Sequence, residues 1–160
     1  MPALIVGFSG IAVGVAVLVI VALVVSLTPK GKTISFDAPG DKGSYVKLLQ
    51  IYVRLTEFIL GLAAGGIVLL VSSFVSHANG QLPWVFVSPL CLLALCIVYG
   101  VLFMVFLITE YADYRQNPDL HPYTRFKYTT NHALGFGGLI CFCLGYGWLV
   151  FVARTWRTPG

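Results

Sequence analysis

The chain has 160 residues, of which 58% are hydrophobic and only 10% are charged, and its formal net charge at pH 7 is +4. A soluble domain of this length cannot hide so much apolar surface, and long uncharged runs are typical of membrane proteins. No basic patch has the extent that nucleic-acid binding requires, so a nucleic-acid partner is excluded. The positive balance fits instead the excess of Lys and Arg on the cytoplasmic side of membrane proteins.

Four apolar runs follow one another along the chain, and a helix over each would cross a hydrocarbon core of about 30 Å. We place the spans near residues 3–28, 45–76, 84–116 and 131–153. Short polar segments connect them. The predicted fold is therefore all-α, an integral membrane protein with four transmembrane helices in an antiparallel bundle, and it forms a single domain over residues 1–160.

The first run is expected to remain in the mature protein as a membrane span. No Lys or Arg precedes Pro29, whereas a signal peptide begins with a basic region and has a shorter apolar core. Gly10 and Gly14 form a G-x-x-x-G pattern, which permits close helix packing in membranes.

The second run combines a polar face with a face of small residues. Four polar side chains recur at spacings of three, four and three, so they share one side of a helix. They are Lys47, Gln50, Arg54 and Glu57, and the same face continues through Gly61 and Ala64, with Gly65 beside them. Such a face is typical of contact with protein rather than with lipid.

The fourth run carries the strongest ridge of small residues, at intervals of four: Ala133, Gly137, Cys141 and Gly145. We expect this ridge to pack against the small face of the second span. That packing would bring Arg54 and Glu57, as a partly shielded ion pair, close to Asn131 and His132.

The ionisable residues near the hydrocarbon all lie toward one surface and define a candidate polar cluster: Lys47, Arg54, Glu57, Glu110, Asn131 and His132. One interpretation is a proton relay through Glu57 or His132, or a haem or metal bound by His132. The other is that Arg54 and Glu57 neutralise each other and that His132 anchors its helix at the interface. Their shallow depth favours this second interpretation, because Arg side chains reach water easily.

Neither a cofactor nor a metal is predicted, although bound lipid is expected. A haem between helices usually needs two histidines at facing depths, but His77 falls at the opposite side from His132 and His121 falls in a loop. No hydrolase motif is present, so we assign no catalytic residue. The four cysteines lie inside the spans, where free thiols are expected: Cys91, Cys96, Cys141 and Cys143.

The basic residues predict an orientation. Eight of them lie in or beside the first and third loops, whereas Arg154 and Arg157 lie beyond the fourth span. The bias puts loops 28–46 and 116–130 in the cytoplasm and both termini outside, and we expect the inner membrane of a bacterium.

Confinement of the polar residues to one surface favours a non-catalytic accessory, scaffolding or assembly subunit of a larger membrane complex. Its expected partners are the lipid bilayer and other membrane subunits, in a hetero-complex rather than a homo-oligomer. Two alternatives stay open. One is a small homo-oligomeric transporter or channel with an inner vestibule near Arg54 and Glu57, and the other is a membrane redox-enzyme subunit that uses His132.

Overall fold

The computed structural model describes residues 2–28, 44–77, 83–116 and 123–155 of the chain. These residues form four long helices and one short 3₁₀ turn. They are α1 (Pro2–Ser26), α2 (Ser44–His77), the 3₁₀ turn Trp84–Phe86, α3 (Val87–Gln116) and α4 (Arg125–Thr155). The predicted all-α fold with four helices is confirmed. Most of the two predicted cytoplasmic loops, and residues 78–82, lie outside the described residues.

Three of the helical segments are long and apolar enough to cross a membrane: Val46–Ser73, Trp84–Gln116 and Arg125–Val152. Ala12–Ser26 of α1 is a shorter apolar helix in the portion that was searched. The whole of α1 has 25 residues. At 1.5 Å per residue, such a helix is about 37 Å long, which exceeds the thickness of about 30 Å of a hydrocarbon core.

The fourth helix begins at Arg125, earlier than the span that we placed from residue 131. Thr124 explains this start, since its Oγ1 accepts a hydrogen bond of 3.4 Å from the backbone N–H of Lys127. A threonine side chain in this position satisfies one of the amide groups that have no partner within the first helical turn. The extra turns bring Lys127 and Tyr128 onto the helix.

Helix α3 is the centre of the bundle and packs against each of the other three helices, most extensively against α4. Helix α1 contacts both α3 and α4, whereas α2 packs on α3 and scarcely touches α4. All four helices contribute to the core, which includes Val17, Ala63, Leu93, Cys96, Tyr99, Leu134 and Cys141. In the most apolar stretch of α2 only 6% is buried, against 28% in α3 and in α4. Most of the surface of α2 therefore faces away from the rest of the chain.

The last part of α1 and of α3 lies beside the first part of α2 or of α4. Lys127 near the start of α4 contacts Glu110 near the end of α3, and Val21 near the end of α1 lies against Gly137 in the first half of α4. Tyr52 in the first part of α2 packs on Phe103 in the second half of α3. We call the end of the bundle at which α2 and α4 begin and α1 and α3 end the polar end.

Candidate functional site

The six residues of the predicted polar cluster divide into two groups in the structure. Lys47, Arg54 and Glu57 are exposed on α2. Glu110, Asn131 and His132 lie on α3 and α4, where they are buried or half-buried. The expected approach of Arg54 and Glu57 to the start of α4 is therefore wrong, because both side chains point away from the bundle. No ion pair joins them in the described part of the chain.

The first group belongs to a continuous exposed face along α2, which we call the outer stripe. Its members are Lys47, Gln50, Arg54, Glu57, Gly61, Gly65 and Val68, and all are exposed. At 3.6 residues per turn, successive residues differ by about 100°, so Gly61 and the fully buried Ala63 lie on nearly opposite sides of the helix. The outer stripe thus lies directly opposite the face of α2 that packs on the bundle.

The glycines of the outer stripe meet no other helix among the described residues. Within that part of the chain, no heavy atom outside their own helical backbone lies within 4 Å of where a Cβ would stand at Gly61 or at Gly65. Ala64, which we expected on the same smooth face, is also exposed. The anticipated packing of this face against the small-residue ridge of α4 does not occur.

That ridge is covered by α1 and α3 instead. A Cβ at Gly137 would lie 3.2 Å from Val21 and 3.5 Å from Tyr99, and a Cβ at Gly145 would lie 3.1 Å from Leu93. Cys141, between these two glycines, is completely buried. The remaining ridge residue, Ala133, is half-buried beside a shallow groove between α1 and α4. The ridge permits close packing as its spacing suggests, but with different partners.

Of the two glycines that form the G-x-x-x-G pattern in α1, Gly14 lies at a close helix contact. A Cβ at Gly14 would lie 2.9 Å from Leu95, so α1 approaches α3 closely there. Gly10 lies within α1, but its packing surroundings lie outside the described residues.

Among the described residues, a hydrogen bond links α2 to the second half of α4. The hydroxyl of Tyr146 donates to the backbone carbonyl oxygen of Leu62 over 2.6 Å. Gly66, one turn along α2, leaves room for this hydroxyl, since a Cβ at that position would lie only 2.6 Å from it. Gly66 is therefore a residue of α2 at which a small side chain serves packing within the chain, and it was not among the predicted residues.

The second group forms an inner cluster at the polar end, made of Glu110, Tyr123, Lys127, Asn131 and His132. Lys127 Nζ lies 2.5 Å from Glu110 Oε2, and the exposed fractions of these side chains are 30% and 17%. The ion pair joins α4 to α3 in partial shelter from water. A pair in such a place interacts more strongly than one at a fully exposed surface.

Tyr123 and Asn131 form the most buried part of the inner cluster, and each is only 3% exposed. Asn131 Nδ2 donates a hydrogen bond of 3.4 Å to the Tyr123 hydroxyl. Burial raises the pKa of Tyr123 to about 12, a rise that the Asn131 hydrogen bond opposes and that nearby Glu110 reinforces. The phenol is therefore neutral at physiological pH.

His132 is held by Tyr128, one turn earlier on α4. The two ring centroids lie 4.0 Å apart, and His132 Nδ1 lies 3.2 Å from the Tyr128 carbonyl oxygen. Because a carbonyl oxygen can only accept, Nδ1 carries the hydrogen of this bond. In the neutral ring, Nε2 is then an acceptor.

A groove of about 190 Å³ extends from the inner cluster into the bundle. Helices α2 and α4 form its sides and α3 its floor, with Thr56, Phe103, His132 and Phe136 among the residues that line it. It exists because α2 packs on α3 without closing against the first half of α4.

Sequence reasoning missed Tyr123, Lys127 and Tyr128 because they were assigned to a loop. The available signal was the spacing of Tyr128, His132 and Phe136, which are four residues apart and share a helical face if the helix starts at Thr124.

All four cysteines are free thiols. Within the described residues, no three His, Cys, Asp or Glu side chains are grouped so that they could hold a metal ion.

The fold and these sites define a class, a helical membrane protein with one sheltered polar cluster and one outward-facing helix. Comparison with protein-family models, with curated proteins and with solved structures finds no match.

Proposed function

We propose that the chain is a non-catalytic subunit of a larger membrane complex and that it docks onto a different subunit through the outer stripe of α2. The observation that carries the proposal is the open space around Gly61 and Gly65. Glycine in a helix costs about 1 kcal/mol relative to alanine. Membrane helices commonly offset this cost by the close approach of a neighbouring helix, and neither glycine has one in the described part of the chain.

The polar half of the outer stripe supports a partner of another sequence. Lys47 and Arg54 carry positive charge there, and Glu57 carries the only negative charge. Two copies related by an axis normal to the membrane would place identical residues at equal depth, so Lys47 and Arg54 would each face their own kind. A different subunit with carboxylates at the headgroup level avoids this repulsion and complements the net positive charge.

The two alternative functions receive less support. Arg54 and Glu57 lie on the outside of the bundle, so they do not line a vestibule within one chain. A vestibule between identical copies would require the like-charge contacts just described. A redox role for His132 would require a bound redox-active group.

The proposed orientation puts the polar end in the cytoplasm and both termini outside. The eight basic residues at that end support it through the positive-inside rule. Single cysteines at Gln116 and at Trp84, in a Cys-free background, are expected to react with an impermeant thiol reagent from opposite sides of the membrane. Reaction of both from one side would refute the orientation.

Native mass spectrometry after gentle extraction from the native membrane tests the docking proposal. We expect the wild-type chain to be recovered with a partner of different mass. Gly61→Leu should reduce that complex by tenfold or more (about 1.4 kcal/mol), because its side chain separates the helices. Gly147→Leu is the matched control, since Gly147 also faces open space but lies on α4.

Recovery of the wild type only as a monomer, or only as identical copies, would refute the proposal. Equal recovery of the complex from both glycine variants would show that docking uses another surface.

A further inference from the structure

We propose that the groove between α2 and α4 binds an uncharged amphiphile whose head is a single aromatic ring that carries hydroxyl groups and whose tail is apolar. This site is separate from the outer stripe, and its test does not depend on the docking partner.

The position of the groove suits a ligand that arrives from the bilayer. It extends along α4 from Asn131 to Leu139, which is about 12 Å at 1.5 Å per residue. Tyr123, Asn131 and His132 mark its polar end, and Ile59 and Leu139 mark its apolar end. A molecule with one polar and one apolar end matches this gradient.

The charges of the lining exclude an ionic head. Among the described residues that line the groove, none is Lys, Arg, Asp or Glu. Lys127 is the cation of the inner cluster. It is neutralised by Glu110, since Lys127 Nζ lies 2.5 Å from Glu110 Oε2. A phosphate head would therefore lose its hydration without gaining a counter-charge, whereas an uncharged head avoids that cost.

The lining also selects for a ring. Five of its twelve residues carry rings, namely Tyr52, Phe103, Tyr123, His132 and Phe136. Tyr52 and Phe103 meet edge to face, with centroids 6.4 Å apart and planes at 86°. Aromatic side chains in such arrangements favour a further ring at an edge or a face. The volume of about 190 Å³ also suits one ring with substituents, since an apolar cavity of about 150 Å³ holds benzene.

His132 supplies the group that recognises the head. Its Nδ1 is committed to the Tyr128 carbonyl oxygen, which leaves Nε2 as an acceptor for a ligand hydroxyl. Asn131 adds the amide oxygen Oδ1, which its hydrogen bond to Tyr123 does not use. Two acceptors on successive residues at the polar end therefore suit a head with O–H donors, such as a phenol or a quinol.

Photolabelling of the full-length protein in phosphatidylcholine vesicles tests the site. The probe is an azido-benzoquinol with a decyl tail, and labelled peptides are located by mass spectrometry. We expect saturable labelling of residues 52–59 and 131–139 that an unlabelled decyl benzoquinol displaces. Dioleoylglycerol, an uncharged lipid without a ring, and phosphatidylglycerol should not displace it at the same concentration.

Variants assign the labelling to the groove. His132→Phe keeps a ring but removes the acceptor, so half-saturation should require about tenfold more probe. His132→Gln retains an acceptor oxygen and should recover most of the lost affinity. Thr109→Val, whose hydroxyl bonds only within its own helix, should bind as the wild type does.

Leu55→Trp fills the groove from the exposed side of α2 and leaves the core untouched, so it tests the site even if His132→Phe fails to fold. It should abolish the saturable labelling. Persistence of the labelling in both Leu55→Trp and His132→Phe would overturn the proposal. Labelling that never saturates, or displacement by either of the two control lipids, would do so as well.

Discussion

The outer stripe of α2 and the inner cluster of α3 and α4 contain the same kinds of residue at the same end of the bundle, but the chain treats them in opposite ways. In the inner cluster, Glu110 is paired with Lys127, and Asn131 is bonded to Tyr123. In the outer stripe, Arg54 and Glu57 remain exposed and unpaired with each other. Polar residues near a membrane surface are therefore not a single class of site. One group joins α4 to α3, and the other is exposed and available to a partner.

The largest effect should come from charge removal in the two regions. Glu110→Ala leaves Lys127 in a half-buried place without its partner, so we expect a loss of about 2 kcal/mol, between the values typical of exposed and of buried pairs. Glu57→Ala should cost less than about 0.5 kcal/mol in the purified monomer. Reversible unfolding in detergent measures both changes.

The double variant Glu110→Ala with Lys127→Ala should be less harmed than the sum of its two single variants. Additive losses, or a cost for Glu57→Ala that equals that for Glu110→Ala, would remove the distinction between the two regions.

Two glycines of α2 sharpen the comparison within one helix. Gly66→Ala would displace the Tyr146 hydroxyl from Leu62, and a loss of about 1 kcal/mol is expected. Gly61→Ala, in open space, should leave the purified monomer unchanged or stabilise it by up to about 1 kcal/mol. Thermal unfolding of the two variants in the same detergent measures the difference, and equal destabilisation would show that Gly61 is packed after all.

The sequence predicted the bounds of the helices better than it predicted which helices pack together. Long apolar runs define spans because a bilayer accepts little else, so the first three helices end close to the expected residues. Small residues show which faces permit close packing, but they carry no signal for the partner. The ridge at Gly137 and Gly145 therefore could not be assigned to α1 and α3. Glu110, Asn131 and His132 of the inner cluster were predicted. Lys127 and the tyrosines were missed, because α4 begins earlier than its apolar run and a single threonine, Thr124, sets that start.

A dependence on pH also belongs to the inner cluster, and it appears only in strongly alkaline solution. The pKa of Tyr123 is raised in the folded chain to about 12 from an ordinary value near 10. Its neutral form thus stabilises the fold fully below about pH 10, and this contribution disappears as the pH rises from 10 to 12. The difference in unfolding free energy between the wild type and Tyr123→Phe should change in favour of the variant over that range.

The wild type and Tyr123→Phe share all their other tyrosines and their lysines. The titration of those groups therefore cancels when the unfolding free energies of the two proteins are compared at each pH. A difference that stays constant between pH 8 and pH 12 would mean that the phenol is solvated.

The most direct test of the central claim, that α2 turns its outer stripe toward another protein, is a photocrosslinking scan along α2 in the native membrane. A photoreactive side chain would be introduced singly at Gln50, Arg54, Gly65 and Val68, and at Leu48 and Leu62 as exposed positions to one side of the stripe. We predict protein crosslinks at the first four positions and lipid adducts at the two leucines. Lipid adducts at all six positions, or protein crosslinks centred on Leu48 and Leu62, would contradict the account.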